Sequence, residues 1–291
     1  MSVHAHPDDE ASKGAPTIAR YASEGHQTYL VCCTGGEEGE VINKAMDRPE
    51  IHENLDQVRV AELERSVKII GFSQLDWLGY RDSGMAESES NNHPDCFAMA
   101  DMDEAAGRLV GLIRTHRPHV IITYSDDQQG YRHPDHLQVH DVTVPAFDRA
   151  ADPNWYPELG PPWQPQKLYY SLWSRARMMA HHELYGRLGL KSPFPEDWFE
   201  RRYADDRITT KIDVSEFYGV RRKALLAHET QIDPEESFWF GLPDDLAVDA
   251  YPYDDYVLAK SLVASEQPES DLLAGLELIL SDETADVEVA S

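Results

Sequence analysis

The hydrophobic positions of this chain fall into short continuous runs separated by stretches with helical spacing. Tyr29–Thr34 (Tyr-Leu-Val-Cys-Cys-Thr) and Val120–Tyr124 (Val-Ile-Ile-Thr-Tyr) are apolar almost throughout, which predicts strands buried on both faces. Ser2–Ala5 is a very short apolar start, and Leu75–Leu78 predicts another short strand. Between these runs, Ser12–Glu24 places Ile18, Ala19 and Ala22 at helical spacing, with Pro16 tolerable only near the first turn. Asn54–Ile70 predicts a helix with Val58, Leu63, Val67 and Ile70 inward, and Met102–His116 one with Leu109, Leu112 and Ile113 on one side. The repeated strand-then-helix order predicts an α/β fold: a Rossmann-like, mainly parallel sheet with helices on both faces.

The Pro-rich stretch Asp152–Pro165 predicts a loop between two halves. After it, Leu168–Leu172 and Ile208–Val214 read as strands, and Ser174–Leu188 and Glu216–Gln231 as helices. This second half is expected to complete a substrate pocket within a single domain over residues 1–275. Residues 276–291 would then form an acidic tail. No Lys or Arg follows Lys260, Leu272–Leu280 predicts one docked helix, and the last ten residues are expected to be disordered.

Charge narrows the partners. The chain carries 53 acidic and 26 basic residues, a formal net charge of −27. Nucleic acid and anionic membrane surfaces are recognised through basic patches and are therefore not expected as partners. Three cysteines, two of them adjacent, make a poor disulfide framework. With no signal peptide and no apolar run long enough for a bilayer, a cytoplasmic location is expected. The sequence sets no oligomeric state. A nicotinamide cofactor is not expected, because no GxGxxG follows the first strand.

In sheets of this kind, sites form at the carboxyl ends of strands. Three polar motifs sit there: His6-Pro-Asp-Asp9 after the first strand, Gly35-Gly-Glu-Glu-Gly-Glu40 after the second, and Tyr131-Arg-His133 soon after Val120–Tyr124. All three would converge on one rim. His6 and Asp9, three residues apart, can reach one ion from a strand-to-helix turn; helix capping by Asp8 or Asp9 is the competing reading. His136, from His133-Pro-Asp-His136, closes a His/Asp/His set with one position open, as a catalytic zinc site requires. Ferrous iron suits the same donors. Asp8 and His133 remain free beside the ion, where a base and an electrophilic partner are needed to hydrolyse a poorly electrophilic carbonyl. His136 and His140 have zincin-like spacing, but Leu137 stands where that motif wants Glu, so His140 is expected to be structural.

These motifs, together with Gly79-Tyr-Arg-Asp-Ser-Gly84, Glu158-Leu-Gly-Pro-Pro-Trp-Gln-Pro165 and Ala227-His-Glu-Thr-Gln-Ile-Asp-Pro234, resemble the PIG-L/LmbE-like zinc deacetylases. Within them, the likeness is to the mycothiol S-conjugate amidase branch, from His4 to roughly Gly275. The resemblance implies zinc ligands at His6, Asp9 and His136 and a general base at Asp8. His133 would polarise the carbonyl and stabilise the oxyanion, Asp135 would orient His133, and Tyr131 would approach the oxyanion. Glu40, Arg59 and Asp82 would hold glucosaminyl-inositol hydroxyls, although unaided they read as a loop acid, a helix-surface Arg and a turn Asp. Lys13 would contact substrate and mark the amidase branch, where related deacetylases carry a small residue. Phe238-Trp239-Phe240 could line a site for the thiol adduct or belong to the core, and His181-His182 read as helix surface. Two departures stand out: the chain begins only five residues before His6, so the first strand is expected to be short, and Arg132 replaces a small residue or Pro.

The implied reaction is hydrolysis of a small-molecule mycothiol S-conjugate to a mercapturic acid and glucosaminyl-inositol, a detoxification step. Two alternatives use the same chemistry: deacetylation of N-acetylglucosaminyl-inositol in mycothiol synthesis, and an amidase dedicated to one conjugate in natural-product assembly. A non-catalytic zinc-dependent sugar-binding protein would need neither Asp8 nor His133.

Overall fold

The computed structural model describes residues 1–128, 131–201 and 203–277. They form one seven-stranded sheet: β1 Ser2–His4, β2 Tyr29–Thr34, β3 Gln74–Tyr80, β4 Val120–Tyr124, β5 Lys167–Leu172, β6 Thr210–Asp213 and β7 Tyr253–Ser261. The order across the sheet is β3-β2-β1-β4-β5-β7-β6. The strands from β3 to β5 run parallel, and β7 lies antiparallel between β5 and β6. The order reverses direction at β1, with β2 on one side and β4 on the other. This is the switch point at which an α/β sheet opens a crevice.

Alternation along the strands supplies two cores. Val3, Val31, Cys33 and Ile121 pack with Leu109, Ile113, Val139 and Phe147 on one face. Leu30, Cys32 and Ile122 pack with Ile18, Leu63, Val67 and Leu225 on the other. Both faces of β2 and β4 are therefore covered, which is why their sequences are apolar without a polar side. A third, smaller cluster of Met178, Leu184, Tyr185, Phe194 and Leu242 lies in the second half, with Trp198, Phe199, Tyr203 and Phe238 packed against it. Among the described residues, no helix is long and apolar enough to cross a membrane.

The structure corrects several expected boundaries. The helix expected over Ser12–Glu24 is two pieces, Asp9–Ser12 and Ala15–Ser23, broken at Gly14 with φ of 94°. A Cβ there would lie 2.8 Å from the Tyr256 hydroxyl, so the break needs glycine. The Leu55–Ile70 helix buries Arg59 and Glu62, while Val58 is only half-buried. The helix expected over Glu216–Gln231 spans only Tyr218–Leu225, and the turn after it buries His228, Thr230 and Gln231. Strand β7 was not foreseen. Asp254 and Asp255 interrupt its apolar pattern, yet both are buried: Asp254 against Arg177, Arg221 and Thr17, and Asp255 against Ser174 and Tyr251. His181 is half-buried and shares a hydrogen bond with the Tyr218 hydroxyl at 3.2 Å, so it is not a surface residue. Leu272–Gly275 form turns instead of a helix, and Leu276 and Glu277 are not helical either; residues 278–280 of that expected helix and most of the acidic tail lie outside the described residues.

Candidate active site

The site grows from the end of β1. His6-Pro-Asp-Asp9 turns the chain into the short Asp9–Ser12 helix, and Asp8 takes the turn with φ of 109°. A left-handed non-glycine residue costs on the order of 1–3 kcal/mol and persists only where its surroundings fix it. Here they do. The Asp8 N–H donates to Glu10 Oε2 at 2.9 Å, and the Asp8 carbonyl accepts from the Ala11 and Ser12 N–H groups. Arg59, only 2% exposed, donates to the Pro7 carbonyl at 2.6 Å and to Asp8 Oδ2 at 3.1 Å. Glu10 is itself buried and accepts from the Ser66 hydroxyl and from His228 Nε2, the latter at 2.7 Å.

The second half of the site caps a helix. His133 is the N-cap of Pro134–Arg149, with Pro134 in its first turn. His133 Nδ1 accepts the Asp135 N–H at 3.2 Å, which leaves the proton of the neutral ring on Nε2. Burial, then the neighbouring His6, lowers the His133 pKa, favouring that neutral form. His136 stacks on the Tyr124 ring with centroids 4.4 Å apart, which fixes its orientation.

His6, Asp9 and His136 bring their ligand atoms together. His6 Nδ1 and His136 Nε2 each lie 3.4 Å from Asp9 Oδ2. Donors about 2.0–2.1 Å from a tetrahedral zinc would be roughly 3.3 Å apart, so the set fits the ion. The other nitrogen of His6, Nε2, faces Asp135 Oδ2 at 3.1 Å. A ligand histidine anchored through its second nitrogen to a carboxylate is the usual support for such a centre. Asp135 is in turn held by the Ser83 N–H at 2.9 Å and by the Ser83 hydroxyl. Among the described residues, His6, Asp82 and His133 form a second group of suitable spacing. That group is less free: His6 Nε2 meets Asp135, and Asp82 Oδ1 accepts the Gly84 N–H at 2.8 Å.

Electrostatics separate the two adjacent aspartates. Burial would raise the Asp9 carboxyl, but Lys13 and His136 outweigh it and hold Asp9 well below the usual range. At Asp8 burial prevails over Arg59, and the carboxyl is raised. One aspartate is thus kept ionised, the form in which a carboxylate can take a metal ion, while its neighbour is pushed toward proton uptake.

Ten of the eleven expected residues line one cavity of about 570 Å³: His6, Asp8, Asp9, Lys13, Glu40, Arg59, Asp82, Tyr131, His133 and His136. Asp135 lies behind the wall, fully buried, and its carboxylate serves His6 and Ser83; only its N–H meets His133. Lys13 is not free to sweep the pocket, because its ammonium is paired with Asp9. Arg59 is no helix-surface residue but the floor under Asp8. Tyr131, 54% exposed, stands at the mouth. Gly130, which precedes Tyr131 in the sequence, lies outside the described residues. Gln231 and Trp239 also line the cavity, and Gln231 donates to the Glu40 carbonyl at 3.0 Å. Sequence reasoning missed Glu10, Ser66, Gln231 and His228 as site residues. Gln231 and His228 lay within the Ala227–Pro234 stretch, but nothing in the sequence said whom they would meet.

The sequence profile of the GlcNAc-PI de-N-acetylase (PIG-L) family matches residues 1–147. The chain is 47% identical to the mycothiol S-conjugate amidase of Streptomyces coelicolor, over 95% of this chain and 96% of that protein. It is 41% identical to the 1D-myo-inositol 2-acetamido-2-deoxy-alpha-D-glucopyranoside deacetylase of Streptomyces avermitilis, again over 95% of this chain and 96% of the relative. The N,N'-diacetylchitobiose deacetylase of Pyrococcus horikoshii shares the fold, with a TM-score of 0.58 at 17% identity, over 82% of this chain and 73% of that one. With this degree of identity along nearly its whole length, the chain belongs to the GlcNAc-PI de-N-acetylase (PIG-L) family of amide-bond hydrolases.

Proposed function

We propose that this protein is a zinc-dependent amidase that hydrolyses mycothiol S-conjugates to a mercapturic acid and glucosaminyl-inositol. The observation that carries this reading is the placement of Asp8 and His133 on the wall of the cavity that the His6, Asp9 and His136 donors also face. His6, Asp9 and His136 would hold the ion, which when bound supplies Lewis acidity to a water and to the scissile carbonyl.

The protein's own groups do the rest. Asp8 takes the proton of the attacking water. Its raised carboxyl pKa lets it keep that proton long enough to deliver it to the leaving amine. Arg59 limits the swing of the carboxylate by holding Oδ2. His133 presents its Nε2–H to the developing oxyanion, with Tyr131 beside it at the mouth. Asp135 steadies His6 rather than His133. Glu40, Arg59 and Asp82 offer acceptors and a donor to the hydroxyls of the amine half.

A second reading is deacetylation of N-acetylglucosaminyl-inositol, favoured by the names of several relatives and by the same polar wall. Amine release by the zinc-loaded protein, offered a mycothiol–bimane conjugate and N-acetylglucosaminyl-inositol at equal concentration, decides between them. Preference for the conjugate is expected. Preference for the acetyl sugar would make the protein a deacetylase, and silence on both would overturn the proposal.

A further inference from the structure

The polar cavity continues past Lys13 into a second cavity of about 420 Å³. The two share Ser12, Lys13, Tyr131, His136 and Trp239, so the metal-ligand histidine forms part of the wall of both. Their chemistry differs sharply. The first carries the charged groups Asp8, Glu38, Glu40, Arg59 and Asp82, with Ile42, Met85, Leu225 and Ile232 between them. The second is mainly apolar, walled by Tyr124, Leu172, Trp173, Trp198, Tyr203 and Phe238, and also takes in Ser125, Asp127, Gln128 and Arg201.

The rings of this second wall brace one another. Trp173 stacks on Phe238 with centroids 5.7 Å apart, and the Trp198 ring meets the edge of Phe238 at 5.9 Å. Trp173 also meets Trp239 edge-on at 5.5 Å. Half-buried aromatic side chains held by their neighbours form a pre-organised surface, which loses little conformational freedom when a flat group slides in. A cavity of this size is in the range, about 300–1,000 Å³, that holds drug-sized ligands. The methyl of an acetyl group would leave it nearly empty.

An amide cleaved at the shared wall has two halves. The hydroxyl-rich amine half is matched by the polar cavity, and the acyl half must leave the metal in the other direction. We infer that the aromatic chamber is the acyl-side subsite, and that it receives acyl groups carrying a bulky, flat apolar substituent. The inference rests on the amide hydrolysis proposed above. It adds that the wall of Trp173, Trp198, Tyr203 and Phe238 sets the preferred acyl size.

Binding of the acyl half alone tests this without any cleavage. The full zinc-loaded chain is titrated with N-acetyl-S-bimanyl-cysteine, followed by bimane fluorescence, and with N-acetyl-S-methyl-cysteine, whose capped sulfur is no thiolate ligand for zinc, as competitor. The bimanyl acid should bind at least about tenfold more tightly, the effect of one good aromatic contact. Trp198→Ala should erase about tenfold of that affinity, while Trp198→Phe, which keeps a stacking surface, should retain most of it. In turnover, Trp198→Ala should shift the ratio of kcat/KM for the mycothiol–bimane conjugate over the acetyl sugar by a similar factor. Equal binding of the two acids, or an unchanged ratio in a Trp198→Ala protein with wild-type Tm, would overturn the inference. The two failures are distinguishable. A chain that cleaves the acetyl sugar and ignores the bimanyl acid refutes the chamber and keeps the hydrolase. A chain that binds the bimanyl acid through Trp198 and cleaves neither amide supports the chamber and refutes the proposed function.

Discussion

The wall that carries Asp8 and the wall that carries Trp173 and Trp198 face the same histidine, His136, but are held by different forces. Around Asp8, nearly every contact is a buried hydrogen bond or ion pair: Glu10 to the Asp8 N–H, Arg59 to its carboxylate, His228 and Ser66 to Glu10. The geometry is over-determined, which is what sustains a left-handed aspartate. The aromatic wall has ring-on-ring packing, looser in direction and at the edge of the smallest core cluster. Chemistry that depends on the position of one proton acceptor needs the first kind of support. A surface that admits acyl groups of differing shape is better served by the second.

Breaking the polar wall should cost most. Asp8→Ala is expected to lower turnover by about 10²–10⁴-fold, the usual share of a general base, with zinc still bound. Amine release and metal content measured on the same preparation check this; intact turnover, or lost zinc, would show that Asp8 is a scaffold and not a base.

The second half of the chain has buried ion pairs of its own. Asp254 lies between Arg177 and Arg221, and its replacement by Asn leaves two buried guanidinium groups uncompensated, which should destabilise the fold by about 3–5 kcal/mol. Burial would raise the Asp254 carboxyl, but Arg221 and Arg177 outweigh it and hold it below its ordinary value. A depressed folded-state value means the contribution is complete above about pH 4 and is lost as pH falls through that folded value. Asp254→Asn should therefore weaken the protein at neutral pH and flatten the acid limb of its stability curve. Urea midpoints across the pH range measure both effects, and parallel curves for variant and wild type would sink the idea.

Asp135 gives a smaller effect on a different readout. If its carboxylate steadies His6, Asp135→Asn should weaken zinc binding by about 10–100-fold in a chelator competition. Undiminished affinity with reduced turnover would instead return Asp135 to His133, the partner expected from the resemblance. The subtlest test is Glu10→Gln, which keeps the shape and removes the charge that holds the Asp8 N–H. Loss of one charge-assisted hydrogen bond predicts a fall in kcat of about fivefold or more, with KM and zinc content little changed. A change in KM alone would place the residue on the substrate side of the comparison.

Much of the fold was legible because its strands are short-range signals. Strands β2 and β4 were bounded at the right residues, since a strand buried on both faces is apolar from end to end. The Met102–His116 helix was equally plain, with Asp101 accepting from the Asp103 and Glu104 N–H groups as its cap. Strand β7 was hidden by Asp254 and Asp255. A pattern rule sends charged residues to water, and only partners brought from other parts of the chain, Arg177, Arg221 and Thr17 for Asp254 and Ser174, Lys211 and Tyr251 for Asp255, make their burial tolerable. Arg59 and Glu62 disguised the inner face of their helix in the same way.

The sequence by itself determined the strand-and-helix order and the His/Asp motifs that gather at the candidate metal site. Both are local: His6 and Asp9 share one Pro-stiffened turn, and His133 and His136 share one helix start, so their spacing fixes which side chains can meet. Only the tertiary structure decided what surrounds them. Glu10 meets His228 across 218 residues of chain, Asp135 turns to His6, and Trp173, Trp198 and Phe238 form one wall. Those choices come from burial, where a polar group must find a partner and a ring must fill a space, and neither demand is visible until the chain has closed on itself.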